Sequence, residues 1–296
     1  MKNKILGSAL MIAGTTIGAG MLAMPLTSAG MGFGATLALL IGLWALLAYT
    51  GLLFMEVYQT APRQDVGVAS LAEQYLGIGG RLSATISLLV LLYALLAAYI
   101  SGGGSLLSGI LPKMGDAKTT EQIGILIFTI ILGSFVVMGI KGVDGLTRVL
   151  FIGKIIAFVA VLFLMLPKAK LENLTAVPLD NLLIVSAIPI FFTSFGFHVI
   201  MASINTYLNA DIRIAIYIGT AIPLIAYVLW QLATHGVLSQ GEFVQILKSD
   251  PTLNGLIKAT SILTGSSALG EMMRLFSIRA LITSFLGVAL GIFECM

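Results

Sequence analysis

Gly14-Thr15-Thr16-Ile17-Gly18-Ala19-Gly20 lies inside an apolar run long enough to cross a membrane, and Pro25 follows shortly after. Three glycines and two threonines bring no packing advantage there. Each glycine costs about 1 kcal/mol in a helix interior, and proline removes a backbone donor. Hydrocarbon makes such a stretch costlier, because every unsatisfied N–H or C=O costs several kcal/mol where no water can reach it. Open backbone at that depth persists only where protein or a water-filled cavity satisfies it. The stretch therefore predicts a discontinuous helix that lines a site near the middle of a bilayer.

Composition agrees with a membrane setting. The 296 residues are 58% hydrophobic and 10% charged, with a mean hydropathy of +1.05. Soluble domains carry about 25% charged residues, so the chain reads as an all-α polytopic membrane protein. The formal net charge of +3 is small and scattered, which gives nucleic acid no reason to bind and leaves membrane lipid as the surrounding partner. Cys295 stands alone, so an intrachain disulfide and a cysteine metal cluster are excluded, and no metal or cofactor is expected. Lys2 and Lys4 precede the first run as they would in a signal peptide. That run is about 27 residues long, however, well beyond the 7–15 of a signal h-region.

Further runs of spanning length, about 20 residues, recur along the chain. The spans are placed at 5–31, 33–57, 82–107, 123–140, 149–166, 182–201, 214–237 and 275–293. Polar turns separate several of them: Ala61-Pro62-Arg63-Gln64-Asp65, Pro112-Lys113-Met114-Gly115-Asp116 and Pro167-Lys168-Ala169-Lys170. The segment Leu238–Arg274 alternates polar and apolar residues and contains Pro251. It is expected to form two short helical pieces that lie on, or dip into, one face of the membrane. Basic residues divide evenly between the two faces, so orientation rests on Lys2 and Lys4 and puts the N-terminus in the cytoplasm. The last run ends at Phe293-Glu294-Cys295-Met296 without a polar tail, and the expectation is a product truncated at its C-terminus, in the eighth span.

A second interruption answers the first. Ile188-Pro189-Ile190-Phe191-Phe192-Thr193-Ser194-Phe195-Gly196-Phe197-His198 combines a proline, a glycine and three hydrogen-bonding side chains in an otherwise apolar span. Spans one and six are thus broken at corresponding positions of two five-helix units. Small residues such as Gly14 and Gly18 also serve close helix packing. Paired breaks five spans apart favour instead an inverted-repeat architecture with its site between the breaks.

Ala13-Gly14-Thr15-Thr16-Ile17-Gly18-Ala19-Gly20-Met21-Leu22-Ala23-Met24-Pro25, Thr193-Ser194-Phe195-Gly196-Phe197-His198 and Thr283-Ser284-Phe285-Leu286-Gly287-Val288-Ala289-Leu290-Gly291 resemble the hydroxy and aromatic amino acid permeases. Ala97-Ala98-Tyr99-Ile100-Ser101-Gly102 and Trp230-Gln231-Leu232-Ala233-Thr234 extend the resemblance. It implies a proton symporter of the bacterial inner membrane that imports an aromatic amino acid, tyrosine first. It also implies the five-plus-five inverted-repeat, leucine-transporter-like fold in a single transmembrane domain. On that fold the first repeat covers about 5–166 and an incomplete second repeat about 182–296. The connection Tyr207–Arg213 looks short for this family. The oligomeric state stays open.

An amino acid presents an ammonium and a carboxylate, and both are costly to desolvate. Broken helices meet them with backbone groups at the ends of half-helices. Gly14, Thr15, Thr16, Gly18 and Gly20 are assigned to the carboxylate, and the carbonyls around Ile17 and Thr193, with the Ser194 hydroxyl, to the ammonium. Phe195, Phe197, Tyr93 and Tyr99 are candidate walls for the ring, Gly196 relaxes the break, and His198 or Ser101 is a candidate partner for a phenol hydroxyl.

Lys154 lies six residues beyond Arg148, about 9 Å into the fifth span. It either snorkels to the cytoplasmic surface or, as the resemblance implies, puts its ammonium where sodium-driven relatives hold an ion between helices one, five and eight. Thr283 and Ser284 would then be its neighbours, and it would load and release the coupling proton. Arg279 reads as the wet start of span eight, and His235 as the outer end of span seven. An inactive fragment is the rival reading. A channel is disfavoured because no ring of acidic or amide residues lines a span, and an intramembrane enzyme because no catalytic constellation is present.

Overall fold

The computed structural model describes residues 2–61, 67–112, 115–138, 140–177, 179, 182–201, 204–205 and 212–295, with the side chains of all but 2–3, 140–148, 182, 290 and 293–295. The Pro62–Asp65 turn, Lys113-Met114 and most of the Tyr207–Arg213 connection fall outside them, as do the side chains of Arg148 and Glu294.

The described residues form helices and connections. In chain order these are α1 (Lys2–Thr16), α2 (Gly20–Thr27), α3 (Gly32–Thr60), α4 (Val68–Ser108), α5 (Ala117–Val137), α6 (Ile140–Met165), α7 (Leu171–Leu174), α8 (Leu182–Ser194), α9 (Ile212–Val237), α10 (Gln240–Ser249), α11 (Leu253–Thr264) and α12 (Ser267–Cys295). Among the described residues, seven helices are long and apolar enough to cross a membrane, and α1 with α2 makes an eighth span bent by 52° at its break. All eight expected runs are therefore helical, with ends that shift by a few residues. α4 departs most. It begins at Val68, and Gly77 at φ +69° and ψ −164° breaks its regular winding. Only a residue without Cβ enters that region without strain. The residues before Gly77 form a lead-in piece, joined to the main span by an exposed Arg81–Glu73 pair at 3.0 Å.

The Leu238–Arg274 stretch gives two short helices as expected, α10 and α11, on either side of Pro251. A reciprocal Ser239–Glu242 capping box starts α10, and Gly265 ends α11 in the left-handed region at φ +61°. Residues from Ser267 onward belong to α12 instead, because no proline follows Gly265 before the apolar run begins, and Gly270 lets the start of α12 approach Ser261 of α11.

Packing sorts the long helices into two sets. α1 lies along α9, α9 along α3, and both α2 and α3 against α8, while α12 packs on α6 and α4, and α4 on α5. Small residues set the closest approaches. A Cβ on Gly103 or Gly104 of α4 would overlap Phe128 or Ile125 of α5, and one on Gly219 of α9 would sit 2.7 Å from Ile12 of α1. The main core runs through both sets, and a second apolar cluster around Ile12, Tyr58, Phe197 and Ile216 fills the space among α1, α3, α9 and the segment that follows α8.

Candidate functional site

Both predicted breaks are present. α1 stops at Thr16 and α2 resumes at Gly20, leaving Ile17-Gly18-Ala19 outside the helix. α8 stops at Ser194, and Phe195-Gly196-Phe197 runs irregularly into a short 3₁₀ turn at His198–Ile200. Gly20 is the point where the two breaks touch: a Cβ there would lie 3.1 Å from Ser194 Cβ and 3.2 Å from Ser194 Cα. Glycine is thus required for approach of one break to the other, whatever its conformational freedom.

The freed backbone groups are met by side chains from three other helices. Lys154 on α6 donates to the Ile17 carbonyl at 2.6 Å, with Thr283 Oγ1 at 3.4 Å. Ser284 Oγ accepts the Ala19 N–H at 2.9 Å. Tyr227 on α9 reaches the Thr16 carbonyl at 2.6 Å and the Ser194 carbonyl at 2.7 Å. An unmet buried N–H or C=O costs about 1–3 kcal/mol, so these contacts are what make an open backbone tolerable here.

Lys154 does not snorkel. It is 1% exposed, and its ammonium lies 4.9 Å from the centre of the Phe151 ring. No carboxylate of a described residue lies within ion-pair distance. A carbonyl, a hydroxyl and an aromatic face therefore carry the whole interaction with this buried amine. A group held by so few and such neutral partners can take up or release a proton without breaking an ion pair.

The other expected residues divide into three groups. Thr16, Ile17, Gly18, Gly20, Ser194, Phe195, Lys154, Thr283 and Ser284 come together at the paired breaks. Phe195 is buried and meets Tyr227 edge-on at 5.0 Å, and Tyr99 packs, partly buried, against the same core. A second group stands apart, on the α3 side. His198 contacts Thr50 Oγ1 at 3.0 Å, stacks on Phe197 at 4.6 Å and meets Phe54 edge-on. Phe197 fills the space beside Gly51. Gly196 closes the break by donating to the Thr193 carbonyl, and the Thr193 hydroxyl turns back to the Pro189 carbonyl. The third group looks outward. Thr15 is exposed and its hydroxyl bonds to Met11 in its own helix. Tyr93 is 53% exposed, and Ser101 lies two turns further along the same outer row of α4, likewise exposed. The inner face of α4 carries Leu92, Leu96 and Tyr99 instead, so Tyr93 and Ser101 do not join the breaks. Gly14 packs against the Phe151 ring of α6, a close helix contact.

Of two residues read as peripheral, one is buried and the other partly buried. His235 is 2% exposed. Its Nε2 lies 3.0 Å from Ser28 Oγ, and Gln231 donates to the same hydroxyl at 3.2 Å, so a polar knot ties α9 to the end of α2. Arg279 donates to the Gly153 carbonyl at 2.9 Å and clamps α12 to α6 just below Lys154.

The residue missed by the sequence reading is Tyr227. A tyrosine in an apolar run reads as ordinary filling. The available signal was a polar row at helical spacing, Thr220, Tyr227, Gln231 and Thr234, all buried in α9.

Comparison with known proteins gives a concordant result. Residues 1–296 match the tryptophan/tyrosine permease family. The chain is 69% identical over 297 residues to the tyrosine-specific transport system 2 of Haemophilus influenzae, a match covering 99% of this chain and 73% of that protein. The tyrosine-specific transport system 1 of the same organism is 57% identical, with the same coverage. Its tryptophan-specific transport protein is 34% identical over 98% of this chain and 72% of that protein.

Proposed function

This chain belongs to the tryptophan/tyrosine permease family, and from that premise we propose that it is a secondary active transporter importing an aromatic amino acid, tyrosine first, together with protons. The proposed setting is the bacterial inner membrane, with the N-terminus in the cytoplasm on the strength of Lys2 and Lys4. The observation that carries the reading is the meeting of two broken helices at Gly20 and Ser194, where the carbonyls of Thr16, Ile17 and Ser194 and the start of α2 all face one small region.

The substrate carboxylate takes the Gly18–Gly20 backbone at the positive end of α2, and the ammonium takes the converging carbonyls. Phe195 and Tyr99 flank the ring, while Phe197 and His198 shape the approach from the α3 side. Lys154 carries the coupling proton, with Thr283 and Ser284 beside it. Protonated, it holds the Ile17 carbonyl and so joins α6 to the break. Neutral, it binds that carbonyl more weakly, and the break is freer to move. The whole chain acts as one transmembrane domain of two inverted repeats, the set α1, α2, α3, α8 and α9 rocking against α4, α5, α6 and α12.

Gradient-driven uptake of labelled tyrosine by the purified chain in proteoliposomes tests this reading. Saturable uptake, competition by tryptophan or phenylalanine, and its loss with a protonophore are expected. Lys154→Ala is expected to abolish gradient-driven accumulation. The opposing reading is a structural part without transport of its own, because the chain spans 73% of its first relative. A version extended to the relative's length, run alongside, separates the two: insertion without saturable uptake by the 296-residue chain, with uptake by the longer one, refutes autonomous transport.

A further inference from the structure

Tyr227 is fully buried in α9, and its hydroxyl lies 2.6 Å from the Thr16 carbonyl oxygen and 2.7 Å from the Ser194 carbonyl oxygen. A phenol hydroxyl has one proton to give. Two acceptors therefore converge on one donor. Among the described residues no other donor reaches either carbonyl, because each closes a half-helix and the next N–H groups are directed elsewhere: Ala19 N–H to Ser284 and Phe197 N–H to the Phe195 carbonyl. At any moment one of the two carbonyls is short of a donor, in a region from which water is largely excluded.

We propose that Tyr227 is a positioning residue that clasps the two breaks together and sets the amino-group specificity of the site. Its proton offsets the repulsion between two carbonyl dipoles pointing at the same place and keeps both within one hydrogen bond's length of a single atom. The carbonyl left short is completed by a donor that the substrate brings, an ammonium, which supplies three N–H groups and a positive charge. A ligand without an amino group gives that carbonyl nothing. Without the hydroxyl the carbonyls separate, and an incoming ammonium must draw them back. The edge-on contact between Tyr227 and Phe195, 5.0 Å between centroids, fixes the ring of the clasp from the side where the substrate's own ring is placed. This inference rests on the site proposed above and names the residue that gives it its preference for an amine.

The test compares inhibition of labelled tyrosine uptake by tyrosine and by 3-(4-hydroxyphenyl)propionate, the same molecule without the amino group. The full chain in proteoliposomes is used, with tyrosine-dependent thermal stabilisation as a second readout that does not need transport. The unaltered protein is expected to prefer tyrosine strongly, and equal inhibition by the two ligands overturns the site itself, whatever Tyr227 does. Tyr227→Phe is expected to weaken tyrosine about tenfold, the loss of one charge-assisted hydrogen bond. The deaminated compound should change less than twofold, so the preference collapses. A structural defect would weaken both ligands alike. Replacement of Tyr227 by 4-aminophenylalanine, which offers two N–H donors, holds both carbonyls in place and leaves neither short, so it is expected to fold as the parent does and still lose the preference. A preference that is unchanged or larger in the Phe variant, or equal loss with both ligands, overturns the clasp.

Discussion

Gly18→Ala is a one-atom test of how the first break is held. A Cβ at Gly18 would lie 2.5 Å from Ser284 Oγ and 3.8 Å from Ser284 Cβ, so the conflict is with the hydroxyl alone. The hydroxyl relieves it by rotating away, and in doing so abandons the Ala19 N–H that it accepts at 2.9 Å. The cost is that of a buried donor left unmet, about 1–3 kcal/mol. Ser284→Ala removes the same hydrogen bond directly and is expected to cost the same about 1–3 kcal/mol. In the double variant the hydroxyl is absent, the new Cβ rests against Ser284 Cβ at an ordinary distance, and only the one N–H remains unmet. All three variants are thus expected to melt at nearly the same temperature, several degrees below the parent, with a coupling energy as large as either single effect. Thermal unfolding in detergent measures this directly. Additive losses would refute the assignment, because they would mean that Gly18 and Ser284 act through separate contacts.

Two other substitutions probe features away from the breaks. His235→Ala removes a buried ring with a hydrogen bond to Ser28 and ring contacts to Phe243 at 5.1 Å and Phe33 at 6.3 Å. It is expected to destabilise by about 2–4 kcal/mol, whereas a shift within about 0.5 kcal/mol would be that of a surface residue and would argue against the polar knot. Asp116 caps α5: Thr119 bonds it through its side chain and through its N–H, at 2.8 Å, and holds its carboxyl below the usual carboxylate range. A depressed value in the folded state means stabilisation that is present above the ordinary carboxyl range and is lost as the pH falls through the lowered one. The melting advantage of the parent over Asp116→Asn, a neutral cap, is therefore expected at neutral pH and should vanish in acid; an advantage that persists in acid contradicts the charged cap.

Glycine, proline and the one deep lysine were legible because the bilayer leaves them few other uses. Open backbone has to be satisfied by something, so the breaks now seen at Ile17–Ala19 and Phe195–Phe197 could be located to within a few residues from the stretches Gly14–Gly20 and Ile188–His198. The partners could not. Satisfying a carbonyl needs a donor brought by the fold from another helix, and Tyr227 is far from Thr16 in sequence. Which face of a uniformly apolar helix turns inward was equally hidden. Tyr93 and Tyr99 sit in similar sequence, yet only the row of Leu92, Leu96 and Tyr99 packs inward. His235 and Arg279 seemed peripheral because they lie near the ends of runs. Each is held by a neighbour that the linear pattern does not place beside it: His235 by Ser28 at the end of α2, and Arg279 by the Gly153 carbonyl of α6. The kink at Gly77 was missed for a related reason, since its lead-in helix, residues 68–76, is too short and too mixed in composition to read as part of a span.

The most direct measurement of the coupling itself is the pH inside proteoliposomes as tyrosine enters. With a pH-sensitive dye trapped inside and no imposed gradient, symport through the paired breaks predicts that external tyrosine acidifies the lumen. Lys154→Ala should abolish that signal while leaving tyrosine-dependent thermal stabilisation in place. Tyrosine entry without acidification, or acidification that survives Lys154→Ala, would contradict proton coupling at this lysine.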